Sequence, residues 1–270
     1  MQVPPSDILK PFIRHYLFLD INETGTERCL RFFPDGSCSL VLTPGSGLYR
    51  PAAVISNLPP AFLYGARTTY EEVLIKEAVK IIAVVFRPDG IYRLMGIPTL
   101  QLKDTVIPLD AVWSNTAARL YDRLQQADAT AWPNILNHFL SAWVPSAKND
   151  GMVTAALYHI HKHTGIISSR ELTSLLGYSE RQVERKFLFE TGITPSAYSG
   201  IVKVHTFLNY LYQYPGESLT RLAYNARYAD QSHLIKAFRK VTGLTPTEYL
   251  NIRNKPARNF IGSLTGGVSV

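Results

Sequence analysis

The sequence lacks several features that would indicate a secreted or membrane protein. Only two cysteines, Cys29 and Cys38, occur in 270 residues, which is too few for a disulfide framework and favours a reducing compartment. No apolar run approaches the roughly 20 residues that a membrane helix needs. The N-terminus has no signal-peptide pattern. We therefore expect a cytoplasmic protein with no membrane partner.

The residue patterns of common enzymes are also missing. The chain has no P-loop, no Gly-x-Ser-x-Gly motif and no dinucleotide-binding glycine motif. A non-haem iron site needs two histidines and a carboxylate, yet His15 and His138 are the only histidines in residues 1–149. His159 and His163 share a helical face without a third ligand nearby in sequence, which favours a packing role over metal binding. We expect no enzyme, no cofactor and no metal.

Positive charge is concentrated in the C-terminal part. Residues 1–149 contain 14 Lys and Arg against 13 Asp and Glu, a net charge of +1. Residues 150–270 contain 14 against 8, a net charge of +6. A basic domain indicates a polyanionic partner, and charge alone is compatible with nucleic acid or a membrane surface.

The first hundred residues have the pattern of a β-barrel or sandwich. Short segments rich in Val, Ile, Phe and Tyr alternate with Pro, Gly, Asp and Ser. The predicted strands are CLRFF, CSLVL, AAVISN, AFLYGA, EEVLIK and VKIIAVVF. The first two begin at Cys29 and Cys38, and we interpret them as a hairpin turning at Asp35 and Gly36.

Helical periodicity dominates the rest of the chain. Amphipathic helices are predicted over 109–127 and 132–144, and a polar segment with Pro and Gly follows. From residue 152 onward the predicted helices are 152–163, 169–176, 180–190, 195–214, 218–226, 230–241 and 246–254. The predicted division is a first domain over 1–147, a helical domain over 148–258 and a flexible tail over 259–270.

The helical part contains one unit twice. The segments are YSERQVERKFLFETGITPSAY at 178–198 and YADQSHLIKAFRKVTGLTPTEYL at 228–250. Each copy has a short helix, a turn, a longer helix and Gly-x-Thr-Pro, which predicts helix-turn-helix motifs at about 167–190 and 218–241. The alternative is the solvated faces of an ordinary bundle, but matching caps and ends in both copies make chance agreement less plausible.

Helical wheels divide each longer helix into an inner and an outer face. Ser179 with Gln182 forms a predicted capping box in the first copy, and Asp230 caps the second. The inward side chains are Val183 and Phe187 in the first copy, and Leu234, Phe238 and Val241 in the second. The outward side chains are Arg181, Glu184 and Arg185 in the first copy, and Ser232, Lys236 and Arg239 in the second.

The connector between the copies has the length of a DNA helical turn. Thr194 caps and Pro195 begins a helix predicted to run to Tyr214, about 30 Å at 1.5 Å per residue. Successive major-groove faces lie roughly 34 Å apart. The connector can therefore hold two reading heads in adjacent major grooves.

Residues 152–254 resemble the DNA-binding domain of AraC/XylS-type bacterial transcription regulators, most specifically in YADQSHLIKAFRKVTGLTPTEYL. The resemblance implies that bases are read from the starts of both longer helices. The residues at those positions are Arg181, Gln182, Arg185, Gln231, Ser232 and Lys236. We add His233, which flanks the start of the second helix, and treat Glu184 as a weaker member.

Four further cations are predicted to contact phosphates. Lys186, Arg239 and Lys240 lie beside the base-reading positions. Arg227 occupies a turn where the family usually has glycine, and a left-handed backbone there costs on the order of 1 kcal/mol. We predict that the side chain of Arg227 compensates for this cost by contacting a phosphate.

The N-terminal part resembles the cupin-like sensor domains of an uncharacterised subgroup of such regulators. The motifs that carry this resemblance are FFPDGSCSLVLTPGSG, FRPDGIYRLMGIP and LKDTVIPLDAVW. It implies effector binding and dimerisation. Two interpretations of helix 109–127 stay open: it forms a homodimer interface, or its Leu120 and Leu124 cover the barrel.

The expected fold is a two-domain α+β protein, with a cupin-like β-barrel and flanking helices before an all-α domain with two helix-turn-helix motifs. The expected function is sequence-specific DNA binding in transcription regulation, modulated by a small-molecule effector and communicated to RNA polymerase. The alternative is a small-molecule-binding or catalytic barrel whose helical domain mediates protein contacts, which predicts no sequence-dependent DNA affinity.

Overall fold

The computed structural model describes residues 1–21, 28–44, 47–50, 56–148, 151–252 and 260–264. A β-rich N-terminal domain with flanking helices precedes an all-helical domain, so the expected two-domain α+β fold is confirmed. Among the described residues no helix combines the length and the apolarity that crossing a bilayer requires.

The described residues of the N-terminal domain form two antiparallel sheets. The strands are β1 Gln2–Val3, β2 Ile13–Ile21, β3 Arg28–Phe32, β4 Ser39–Leu42, β5 Tyr49–Arg50, β6 Ser56–Asn57, β7 Ala61–Tyr64, β8 Glu71–Ile75, β9 Val79–Phe86, β10 Val106–Pro108 and, after the helical domain, β11 Phe260–Leu264. The larger sheet has the order β1-β2-β9-β4-β7-β10, and the smaller sheet has the order β11-β3-β8-β5-β6. Apolar side chains from both sheets, such as Leu30, Phe62 and Ile81, are buried together.

Helices flank these sheets in the N-terminal domain. They are α1 Gly90–Met95, α2 Asp110–Trp113, α3 Asn115–Gln126 and α4 Trp132–Ser141, with a 3-10 turn at Thr99–Leu102. Leu120 and Leu124 of α3 are 2% and 0% exposed. Of the two interpretations of helix 109–127, the one in which this apolar face covers the β domain is therefore supported, because those side chains are already buried within one chain.

In the described part of the C-terminal domain there are seven helices. They are α5 Gly151–Lys162, α6 Ser169–Leu176, α7 Glu180–Thr191, α8 Pro195–Gln213, α9 Leu219–Asn225, α10 Gln231–Thr242 and α11 Pro246–Asn251. We call α6 and α7 the first head, α9 and α10 the second head, and α8 the connector. Each predicted helix is present, and its caps and apolar periodicity explain the agreement.

The predicted hairpin around Asp35 and Gly36 is wrong. The chain does bend there, with Gly36 at φ +75°, but β3 pairs with β8 in the smaller sheet, whereas β4 lies between β7 and β9 in the larger one. The two strands flanking the bend therefore diverge into different sheets. Pairing between distant strands overrode the local hairpin signal. The longest strand, β2, was not among the predicted strands.

The predicted flexible tail is wrong for residues 260–264. They form β11, which pairs antiparallel with β3 in a register that places Phe260 opposite Phe32 and Leu264 opposite Arg28. The smaller sheet is therefore completed by a strand that follows the helical domain in sequence.

The two domains meet along the connector. The ring of His205 lies with Nε2 2.8 Å from the carbonyl oxygen of Pro34. The bend at Gly36 packs against the ring of Tyr198. On α5, the Thr154 hydroxyl donates to Asp89 Oδ2 at 2.7 Å. The bend of the β domain is thus held against the helical domain.

Candidate nucleic-acid interface

The first recognition helix, α7, presents its predicted outer face to solvent. Val183 and Phe187 are buried at 2% and 0% exposure. Arg181 and Arg185 are exposed, as predicted for side chains that approach DNA. Lys186 is half-buried beside them and has interactions of its own.

Gln182 has a structural role at the start of α7. Its Oε1 accepts hydrogen bonds from Ser179 N at 3.1 Å and Ser179 Oγ at 2.8 Å, while Ser179 Oγ accepts from Gln182 N at 3.4 Å. This is the predicted capping box. A two-bond contact with adenine needs both Oε1 and the amide nitrogen, so base reading by Gln182 competes with its capping role.

The second recognition helix, α10, has the same arrangement. Asp230 Oδ1 accepts a 2.7 Å hydrogen bond from the backbone N–H of His233 and caps the helix. The ring of His233 lies edge-on to Tyr228 with centroids 5.6 Å apart, which ties it to the protein. The remaining predicted contact residues on this helix are all exposed. They are Gln231, Ser232, Lys236, Arg239 and Lys240.

The turn before α10 has the left-handed backbone expected at Arg227. Its φ is +53°, and its side chain is exposed. Lys203 of the connector stabilises this turn, because its Nζ donates to the carbonyl oxygen of Arg227 at 3.0 Å and lies 4.2 Å from the Tyr228 ring centroid. Burial lowers the pKa of Lys203. Sequence reasoning missed Lys203, which lies 24 residues from Arg227.

The ends of both recognition helices repeat one hydrogen-bonded turn. Thr191 Oγ1 lies 2.8 Å from Phe187 O, and Thr242 Oγ1 lies 2.8 Å from Phe238 O. Both helices end in a left-handed glycine, Gly192 at φ +78° and Gly243 at φ +76°. The Thr-Gly pair in both copies of the repeat was the available signal for this turn.

The connector joins the heads as one continuous helix. Its 19 residues correspond to about 28 Å at 1.5 Å per residue. The Thr194 side chain caps it by accepting from Ala197 N at 3.2 Å. Phe207 lies on its buried face, edge-on to Phe238 with centroids 5.8 Å apart. The connector therefore forms part of the core of the second head.

A cavity of about 1470 Å³ lies between the β domain and the helices α5 and α8. Its body is apolar, with Leu17, Phe62 and Ile81 from the sheets and Ile201 from the connector. Four arginines and two aspartates also line it. They are Arg14, Arg67, Arg87, Arg93, Asp35 and Asp89. The predicted effector pocket of the N-terminal domain thus has a wall from the DNA-binding domain.

Asp35 lies in this wall and accepts hydrogen bonds through both of its carboxylate oxygens. Its Oδ2 accepts from Arg14 Nη1 at 2.5 Å, and its Oδ1 accepts from Ser37 N at 3.0 Å. Burial alone would raise the pKa of Asp35, but Arg14, His205 and the hydrogen bonds from Ser37 hold it below the ordinary value of 3.8. The carboxylate therefore stays charged between the two domains.

His161, near the end of α5, also lines the cavity. His161 Nε2 lies 2.7 Å from the Tyr198 hydroxyl, which assigns it to the cavity wall. No group of three or more His, Cys, Asp or Glu side chains within the described ranges is placed to hold a metal ion.

Comparisons with known proteins match both parts of the chain. Residues 172–252 match a family described as a helix-turn-helix domain, and residues 1–108 match a domain of unknown function, DUF6597. No curated protein matches the chain at a significant level.

Several solved structures are similar at low identity. ToxT from Vibrio cholerae is 12% identical over 87% of this chain and 97% of that chain, with a TM-score of 0.47. Unsaturated fatty acid bound ToxT from strain SCE256 is 14% identical over 94% and 98%, with a TM-score of 0.45. The AraC-like transcriptional activator CuxR is 15% identical over 79% and 78%, with a TM-score of 0.20.

Identities and TM-scores this low say nothing about function, which is inferred from the residues of this chain. Those residues provide two capped recognition helices with exposed basic starts, joined by one continuous connector. Residues 172–252 therefore match a helix-turn-helix domain both in sequence and in the arrangement of their helices.

Proposed function

We propose that the protein is a sequence-specific transcription regulator that reads two adjacent major grooves, one with each head. The observation that carries this proposal is the pair of matching recognition helices on a connector of about 28 Å, close to the roughly 34 Å repeat of the major groove. Such a regulator acts on chromosomal DNA in the cytoplasm, without chemistry of its own. Contacts with RNA polymerase and with a second copy belong to the same proposal, although no surface is assigned to either.

Exposed side chains at the helix starts support the base-reading roles. Arg181 and Arg185 of the first head are suited to guanine, whose O6 and N7 accept two parallel hydrogen bonds. Gln231, Ser232 and Lys236 of the second head lie at the start of α10 and are exposed. Gln182 and His233 are weaker candidates, because a cap and a ring contact already hold them.

Phosphate contacts belong to the cations around these positions. Arg239 and Lys240 lie in the last turns of α10 and are exposed, and the exposed Arg227 precedes the same helix. Lys186 is the corresponding cation of the first head. Each neutralised phosphate steepens the dependence of affinity on salt without adding sequence preference.

Binding of the purified protein to a genomic DNA fragment library, followed by sequencing of the recovered fragments, tests this function. We expect an enriched motif with two half-sites about one helical turn apart. On that site, Arg185→Ala should cost about 1–3 kcal/mol and relax specificity at one position, since only a base contact is lost. Arg239→Ala should instead weaken specific and random DNA alike and reduce the salt slope by about one.

The two arginine variants are controls for each other. Equal losses on specific and random DNA for Arg185→Ala would show that Arg185 does not read a base. Absence of binding to any fragment at low salt would contradict the regulator function and favour a helical domain that mediates protein contacts.

We further propose that the cavity binds an amphipathic anion that modulates DNA binding. Its apolar body is suited to a hydrocarbon chain. Four arginines line it, and three of them already have carboxylate partners: Arg14 with Asp35, Arg67 with Glu71 and Arg93 with Asp89. Arg87 is the exposed member of this set, and its Nε donates to the carbonyl oxygen of Lys10 at 2.7 Å.

A long-chain unsaturated fatty acid is a suitable probe of that class. It should raise the melting temperature, and the rise should continue with the logarithm of its concentration above the dissociation constant. Its methyl ester should raise the melting temperature less, because the charge that the arginines bind is gone. Arg87→Gln should weaken binding of the acid on the order of tenfold, whereas the exposed Arg119→Gln outside the cavity should not. Equal shifts with acid and ester would rule out the anion site.

A further inference from the structure

The β domain contacts the same turn of both heads. In the first head, the turn at the end of α7 packs on the 3-10 turn: Thr99 Oγ1 donates to the carbonyl oxygen of Phe189 at 3.4 Å. A Cβ atom at Gly192 would lie 2.8 Å from the carbonyl oxygen of Thr99. The rings of Tyr92 and Phe189 add an edge-on contact with centroids 5.4 Å apart.

In the second head, the equivalent turn packs on the smaller sheet. A Cβ atom at Gly243 would lie 2.6 Å from the ring of Tyr70. Arg31 of β3 lies with its guanidinium carbon 4.7 Å from the Tyr70 ring centroid, and its Nη1 donates to the carbonyl oxygen of Thr242 at 3.5 Å. Glu72 orients Arg31 through a 2.5 Å ion pair.

Gly192 and Gly243 are equivalent positions of the repeat, although the surfaces that receive them are unrelated. One surface is a backbone carbonyl of the 3-10 turn, and the other is an aromatic ring next to the smaller sheet. Between these contacts, the bend at Gly36 packs on Tyr198 of the connector. The β domain therefore contacts the first head, the connector and the second head.

We propose that the β domain is a brace that sets the separation and orientation of the two heads, by contacting the Thr-Gly turn at the end of each recognition helix. The proposal rests on the proposed function, because its consequence for DNA is a preferred half-site spacing. The cavity lies inside the braced region, and its walls include Tyr198, His205 and Phe33. A ligand bound in the cavity changes the preferred half-site spacing through these same contacts between the β domain and the two heads.

The chain offers a matched control for the brace. Gly177 ends α6 in the same left-handed conformation, at φ +73°, but a Cβ atom there would meet nothing within 4 Å. Gly177→Ala and Gly243→Ala therefore share the cost of placing a side chain on a left-handed backbone. Only Gly243→Ala pushes against the β domain. Tyr70→Ala removes the same contact without backbone strain, and Tyr70→Phe keeps the ring.

Affinity should be measured on duplexes whose half-site separation varies in single base pairs around about 10 base pairs. We expect the wild-type protein, Gly177→Ala and Tyr70→Phe to prefer one spacing by on the order of tenfold. Gly243→Ala and Tyr70→Ala should reduce that preference to about twofold, because the second head is no longer held in position. An unchanged spacing preference in Tyr70→Ala, or an equal loss in Gly177→Ala, overturns the brace.

Hydrogen exchange without DNA separates this proposal from the proposed function. In Tyr70→Ala, amides of α10 and α11 should exchange faster than in the wild-type protein, while those of α6 should not change. Unchanged exchange in α10 and α11 counts against the brace even if DNA binds. Faster exchange in a protein that binds no DNA supports the brace and contradicts only the function.

Discussion

A Phe207→Ala protein should lose about 3–5 kcal/mol of unfolding free energy and most of its affinity for the half-site read by the second head. Phe207 is fully buried on the connector, and its ring lies edge-on to Phe238 and to Tyr228, with centroids 5.8 and 6.4 Å apart. Truncation leaves a cavity under α10 that its neighbours fill only in part. Urea unfolding and affinity for single half-sites measure the two effects.

Phe207→Leu is the control for that truncation. Leucine keeps most of the buried volume, so the loss should stay below about 1.5 kcal/mol and both half-sites should still bind. Affinity for the first half-site should change little in either variant, since the first head has its own core around Phe187. Equal weakening at both half-sites would show that the heads are not separate units.

An Asp35→Ala protein should be less stable by about 3 kcal/mol at neutral pH, because Arg14 would lose its partner in a partly buried site. This value is at the low end for a broken buried ion pair, since the Arg14 side chain is 33% exposed. The depressed pKa of Asp35 sets the pH dependence. Its contribution is present above the ordinary value of 3.8 and is lost as pH falls through the lower folded value.

Urea unfolding of wild type and Asp35→Ala from pH 7 downward tests this dependence. The difference in unfolding free energy between the two proteins should be constant near neutrality and should shrink below pH about 4. Asp7→Ala is the control, because Asp7 pairs with Lys10 at the surface and its side chain is 94% exposed. A pH-independent difference for Asp35→Ala would show that the ion pair is not its cause.

The DNA-binding part could be predicted because its signals are local. The cap of each recognition helix lies three residues from the amide that it binds, as Ser179 and Gln182 or Asp230 and His233 show. Apolar spacing then assigns Phe187 and Phe238 to the core. The same local signals could not resolve the conflict at Gln182, which the sequence placed both in the cap and among the base readers.

The remaining features depend on residues far apart in sequence. Lys203 reaches Arg227 from another helix, and Arg31 reaches Thr242 across 211 positions. The divergence of β3 and β4 into different sheets depends on β8 and β9, so a local turn motif gave the wrong pairing. The cavity and the brace arise from such contacts, which leave no periodic signal in a single sequence.

The pairing of β11 with β3 imposes an order on folding. Phe260 and Phe32 lie opposite each other although 260 − 32 = 228 positions separate them. The helical heads form through contacts between residues a few tens of positions apart, so they can fold early. The smaller sheet forms only after a very long loop has closed. Until then one edge of β3 presents unpaired backbone groups, which are a template for strands of other chains. During folding, the aggregation hazard of this protein therefore lies in its β domain rather than in its helical domain.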